Sequence, residues 1–150
     1  MSEGAYPAVA EVLPQAGRMV LLTAIVEHAE DGTSCVVEIG EDDPFREAGG
    51  LVPAWVGLEY MAQCVAAHGG LRARETGGPV RIGFVAGSRR LDVLTAGFSP
   101  GQVLEVRARL LAGGSRLLTF ACSLRDRASG ALFMEGDLQV ILSDGPGPDP

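Results

Sequence analysis

Apolar side chains crowd into one block of this chain and alternate with polar ones almost everywhere else. The block runs from Ala54 to about Arg74. Placed on a helix, its Trp55, Val56, Leu58, Met61, Ala62, Val65, Ala66 and Ala67 cover most of the circumference. That spacing predicts one long helix buried on nearly every side. Gly69-Gly70 weakens the last part, where the helix is expected to end or bend. Thr76-Gly77-Gly78-Pro79 is a firm stop.

The flanks read as strands. Met19 to Glu27 is β-rich, Asp31-Gly32 is a hairpin-turn pair, and Thr33 to Ile39 returns. A loop with Pro44, Gly49, Gly50 and Pro53 leads into the helix. Beyond it, Arg81 to Thr95 is extended, with a bulge or bend expected at Gly87. Gln102 to Leu111, Arg116 to Arg127 and Ala131 to Leu142 follow, separated by turns at Gly113-Gly114 and Ser129-Gly130, and Pro100-Gly101 turns into the first of them. A helix apolar all round cannot be satisfied by one flat sheet. The sheet must curl around it, or a second subunit must cover what is left. The expectation is an α+β hotdog fold, a curled antiparallel sheet around one long buried helix, of the kind that usually dimerises. Residues 1–144 form the single domain and 145–150, Gly-Pro-Gly-Pro-Asp-Pro, a disordered tail.

Composition narrows the function. With 150 residues, 47% of them hydrophobic, the chain can bury a core without staples. The net charge of −7 speaks against a general nucleic-acid binder, which needs concentrated positive charge. Cys35, Cys64 and Cys122 are odd in number and show no CxxC spacing, so neither a disulfide framework nor a zinc site is expected. Glu41, Asp42 and Asp43 lack the glycine spacing of a calcium loop. Gly83 to Gly87 fits no nucleotide fingerprint, and Ser88 and Ser123 sit in no nucleophile elbow. No cofactor and no metal are expected. The N-terminus has no secretory pattern and no apolar run approaches the ~20 residues of a membrane span, so a cytoplasmic protein is expected.

One residue breaks the pattern of the helix: Glu59. A carboxylate among apolar side chains needs a partner or a task. Withdrawn from water it would hold a proton more tightly, which suits acid–base chemistry. The alternative is a solvated carboxylate near the helix N-terminus, where the dipole favours it. Gln63, four residues on, shares its face and can hydrogen-bond to it.

The segment Glu59-Tyr60-Met61-Ala62-Gln63, preceded by Pro53, resembles the central-helix signature of hotdog 3-hydroxyacyl-(acyl carrier protein) dehydratases. The nearest likeness is to the small dehydratase-like proteins of aryl polyene-type gene clusters. Leu13-Pro14 with Gly17 and Met19 to Leu22, Asp43-Pro44-Phe45, Gly83 to Arg90, and Phe98 to Leu104 extend the resemblance through most of the chain. It implies a substrate held as a thioester on an acyl carrier protein or coenzyme A. It implies an acid–base pair of a His and a helix carboxylate facing each other across a dimer, and N–H groups at the helix N-terminus polarising the thioester carbonyl. Glu59 takes the carboxylate's place and Gln63 orients it. The helix N-terminal donors would come from Ala54 to Gly57, and Gly57 would admit close approach of ligand. Phe45, Trp55 and Phe84, with Pro53, are the candidates to line the acyl site. Arg89 and Arg90, with Arg72, Arg74 and Arg81, would steer an acidic carrier.

The departure from the family lies at the histidine. Where relatives carry Leu-Pro-His-Arg, this chain has Leu13-Pro14-Gln15-Ala16. Gln15 can hydrogen-bond but cannot pass a proton near neutral pH. The two histidines are poor replacements. His28 sits by the hairpin turn and is expected to face water. His68, nine residues after Glu59, falls on the opposite side of the helix. Three functions stay open: a dehydratase with an altered site, an acyl-thioesterase using Glu59, and a non-catalytic acyl-binding or partner subunit. The assembly is expected to be a homodimer or higher homo-oligomer, or a pair with another hotdog chain, without nucleic-acid or membrane partners.

Overall fold

The computed structural model describes residues 6–79 and 83–143. The tail from 144 on lies outside them, as does Arg81. Among the described residues nine strands and one α-helix follow in order: β1 (Ala24–Ala29), β2 (Gly32–Glu38), β3 (Val52–Pro53), α1 (Val56–Thr76), β4 (Gly83–Gly87), β5 (Leu91–Val93), β6 (Gly97–Phe98), β7 (Val103–Gly113), β8 (Leu117–Asp126) and β9 (Leu132–Leu142). The main sheet is antiparallel, ordered β1-β2-β7-β8-β9-β4, with β5 also on β9. Helix α1 packs on β7, β2 and β8. Its 21 residues span about 31 Å.

The helix is buried through Val56, Tyr60, Met61, Cys64, Val65, Ala67 and Leu71, as its apolar circumference predicts. Two glycines let it approach its neighbours. A Cβ on Gly57 would strike the Met134 thioether and Leu124, and one on Gly70 would strike the carbonyl of Val12. The Gly69-Gly70 pair therefore does not end the helix. Gly70 is where the N-terminal segment crosses it, and the helix runs on to Gly77, which closes it in the left-handed region at φ +71°.

The strand expected from Met19 starts later. Gly17–Met19 is a 3₁₀ turn, and β1 begins at Ala24. The reason is a side chain: the Gln63 amide takes the Leu21 N–H and the Met19 carbonyl, groups that a strand would offer to a neighbour. The hairpin turn is Glu30-Asp31, one residue earlier than expected, with Ala29 paired to Gly32. Gly32 belongs to β2, where a Cβ would press on the Ala108 carbonyl at 2.9 Å. The extended stretch after the helix divides into β4 and β5, with a register shift between Val85 and Gly87. The short pair β3–β6 had no sequence signal. All three cysteines are buried and free. Among the described residues no helix is long and apolar enough to cross a membrane.

Candidate active site

Helix α1 puts Glu59 one turn in from its start, half-buried, with Gln63 one turn further and fully buried. Gln63 Nε2 donates to Glu59 Oε2 at 3.0 Å and to the Met19 carbonyl at 2.7 Å, while its Oε1 accepts from the Leu21 N–H at 2.9 Å. One amide thus fixes the carboxylate and the segment that passes over it.

Glu59 lines a cavity of about 530 Å³ between α1 and the β4–β9–β8 side of the sheet. Gln15 lines it too, brought there by the N-terminal segment that Val12 and Leu13 anchor in the core. The Gln15 Oε1 is buried with no hydrogen-bond partner among the described residues. The walls are apolar: Ala62, Val65, Ala66, Phe84, Phe120 and Val140 among them. A carboxylate, an unsatisfied amide oxygen and an apolar trough suit a chain with a polar reacting end.

Helical arithmetic set His68 opposite Glu59, yet both line this cavity, whose floor covers about half the helix circumference. His68 is 4% exposed. Burial, and after it the charges of His28 and Arg72, lower its pKa to about 4, so its ring is neutral near pH 7. His28 does not face water: its side chain is 7% exposed. Its Nδ1 lies 2.7 Å from Thr33 Oγ1, and the same oxygen lies 2.8 Å from His68 Nδ1. His28 Nε2 reaches Glu75 Oε1 at 3.1 Å, and Arg72 Nη1 reaches the same carboxylate oxygen at 3.0 Å. Thr33, Glu75 and this role for His28 escaped the sequence reading.

Several expected lining residues lie elsewhere. Trp55, 64% exposed, packs edge-on against half-buried Phe45 outside the cavity. Pro53 pairs with Gly97, and the Ala54 N–H is taken by the Ala96 carbonyl at 3.2 Å. The Gly57 N–H bonds to the Ala54 carbonyl at 2.9 Å, and the place of its missing side chain is filled by core rather than open to a ligand. Of the expected helix N-terminal donors, Ala54 and Gly57 are therefore already engaged. Phe84 does line the cavity, from the edge strand. Arg89 and Arg90 lie in the turn after β4, each beside a carboxylate, Asp137 at 3.5 Å and Asp92 at 2.8 Å. Buried Cys122, its thiol pushed up to about 12 by burial, is no nucleophile. No cluster that could hold a metal ion exists among the described residues.

A carboxylate-bearing helix, wrapped by a curled antiparallel sheet and bordered by an apolar cavity, defines a hotdog-fold protein. The chain belongs to the ApeP-like family, described as ApeP dehydratase, which it matches over residues 7–146. In structure it is similar to a chain of the dehydratase heterocomplex ApeI:P from Xenorhabdus doucetiae, with 24% identity, 93% of each chain covered and a TM-score of 0.86. It is also similar to zebra fish thioesterase superfamily member 2, with 14% identity, 90% of this chain and 93% of that one covered, TM-score 0.65. Smu.793 from Streptococcus mutans UA159, solved bound to acetyl CoA, follows with 10% identity, 82% and 90% covered, TM-score 0.62. No curated protein matches the sequence.

Proposed function

We propose that the protein dehydrates a 3-hydroxyacyl thioester in the cavity beside Glu59. The observation that carries this reading is the Glu59 carboxylate, held at 3.0 Å by Gln63 at the edge of an apolar cavity it shares with Gln15. Dehydration needs the α-proton removed and a proton given to the departing β-hydroxyl. Glu59 takes the first as carboxylate and returns it to the hydroxyl, which leaves as water, so the carboxylate is regenerated and the enoyl thioester remains. Gln63 holds the carboxylate through both transfers. The Gln15 amide hydrogen-bonds the hydroxyl without exchanging protons, which makes the reaction slow.

The thioester is carried by an acyl carrier protein or coenzyme A, and Arg89 and Arg90 meet the acidic carrier. A partner subunit, a second copy or another hotdog chain, covers the β4 edge, where Phe84 and Val85 are 61% and 44% exposed. That a related structure is a heterocomplex supports such pairing.

The experiment is to incubate the protein with a 3-hydroxyacyl-pantetheine thioester and follow the products by mass spectrometry. Enoyl thioester is expected from the wild type and none from Glu59→Gln. Free acid without enoyl product would replace this reading with a thioesterase. Saturable binding without turnover would favour the second reading, a non-catalytic partner subunit, for which the absence of a histidine at Gln15 speaks.

A further inference from the structure

The cavity has a second polar pole. Glu59 stands at one end of the helix segment that lines it, and His68 lies nine residues on, about 13 Å along the axis. Between them the surface is Ala62, Val65 and Ala66. The His68 pole is built: Glu75, His28, Thr33 and His68 form one hydrogen-bond chain from the helix end to the cavity.

The chain's proton order follows from the chemistry of its members. A carboxylate only accepts, so His28 Nε2 carries a hydrogen toward Glu75. Thr33 is 3% exposed, and its hydroxyl lies between two Nδ1 atoms. Its one proton therefore goes to one ring, and the other ring donates to its oxygen. With His28 neutral, Nδ1 of His28 accepts from Thr33, and Thr33 accepts from His68 Nδ1–H. His68 Nε2 is then a bare acceptor. With His28 protonated the order reverses, and His68 Nε2 carries the hydrogen. In both states Nδ1 is occupied and Nε2 is the ring nitrogen left for a ligand. A hydroxyl, being donor and acceptor, suits either state; an ether oxygen or a methyl group suits neither or only one.

We propose that His68, oriented by Thr33 and His28, binds a hydroxyl at the far end of an acyl chain whose thioester end lies at Glu59. The substrate class is thus acyl thioesters of medium length with a hydroxyl at the distal terminus. This rests on the acyl-thioester reading of the cavity. His68 is a binding group here and Thr33 a positioning residue. With a pKa near 4, His68 is too weak a base for an α-proton, which favours binding over proton transfer.

The test uses the whole chain with Glu59→Gln, so that no turnover interferes, and three probes: decanoyl-, ω-hydroxydecanoyl- and ω-methoxydecanoyl-pantetheine. Calorimetry is expected to show the hydroxylated probe binding about tenfold more tightly than the other two. The preference disappears in His68→Phe, falls in Thr33→Val and returns in Thr33→Ser. Nitrogen NMR of the imidazoles supplies a reading that folding defects do not imitate: His68 Nε2 shifts on adding the hydroxylated probe and not the decanoyl one. If all three probes bind alike, or the preference survives in His68→Phe, this inference falls while the acyl reading stands. If none binds, both fall. Should His68→Phe not fold, an unmoved Nε2 signal in the His68-containing protein overturns the inference by itself.

Discussion

Gln63 holds Glu59 and the Met19–Leu21 segment with a single amide: Nε2 lies 3.0 Å from Glu59 Oε2 and 2.7 Å from the Met19 carbonyl, and Oε1 accepts from the Leu21 N–H at 2.9 Å. The amide serves one oxygen of a half-buried carboxylate and two backbone groups that no strand partner serves. Gln63→Leu keeps the volume and removes all three bonds. Stranded backbone groups of this kind cost about 1–3 kcal/mol each, so a loss on the order of 3 kcal/mol is expected in urea unfolding. Glu59→Gln keeps an acceptor for Nε2 and is expected to unfold within about 1 kcal/mol of wild type. A Gln63→Leu protein as stable as wild type would show that the amide holds nothing.

The two adjacent helix glycines answer to different neighbours, and alanine separates them. A Cβ on Gly69 meets nothing within 4 Å, and Gly69 is exposed. Gly69→Ala is therefore expected to stabilise by about 0.5–1 kcal/mol through reduced backbone freedom in the unfolded chain. Gly70 is buried against the Val12 carbonyl, and Gly70→Ala pushes the N-terminal segment off the helix. A loss of about 1–3 kcal/mol is expected there, as for other overpacked sites. Thermal melts of the two variants should move in opposite directions; a shared direction would contradict the packing described.

Why the sequence showed the helix and its carboxylate but not the Glu75–His28–Thr33–His68 chain is a matter of reach. Periodicity reports what a residue does on its own element, and α1, Glu59 and the i,i+4 partner Gln63 all lie on one element. The histidine chain joins a hairpin to a helix end. Its hairpin half depended on a turn one residue earlier than the Asp31-Gly32 pair suggested: only a Glu30-Asp31 turn places His28 opposite Thr33. His28 was expected to face water because it sits at a strand end beside the turn; its ring is covered instead by Thr33, Glu75 and His68, two of them on a helix 40 or more residues away. The glycine that suggested the turn serves the approach of β2 to β7 instead. The β3–β6 pair and the late start of the strand expected from Met19 were hidden for the same reason, since each is set by a partner distant in sequence.

The Gln15 position gives a gain-of-function test. Its amide oxygen has no hydrogen-bond partner among the described residues, and the side chain lines the same cavity as Glu59. Gln15→His would restore a group that can donate and accept a proton, and a positioned acid or base is typically worth 10²–10⁴-fold. The enoyl product rate is expected to rise at least about tenfold, with a bell-shaped pH profile that the wild type lacks. An unchanged rate with a stable, folded variant would mean that the loss of the histidine is not what limits the wild type.

Acid should weaken this fold through His68 before it does so through the paired carboxylates. The unfolded ring titrates at its ordinary 6.5, whereas the folded one titrates at about 4, lowered by burial first and by His28 and Arg72 next, with Glu75 and Asp31 opposing. Between those values the unfolded chain binds the proton and the folded chain does not. The stabilisation is therefore complete above pH 6.5 and is lost as pH falls toward 4, by an amount on the order of 3 kcal/mol. Asp126, held below its ordinary 3.8 by the Ser129 hydroxyl and N–H, and Asp137, held down by the Arg90 and Arg89 N–H groups, give up their stabilisation only below that range. Glu75, lowered by His28 and Arg72, does so below its ordinary 4.5. Urea midpoints at pH 7, 5.5 and 4.5 are expected to fall steeply for the wild type and more gently for His68→Gln, which keeps a hydrogen-bonding group beside Thr33 but nothing to titrate. Parallel curves would mean that His68 takes up its proton in the folded protein as readily as in the unfolded one.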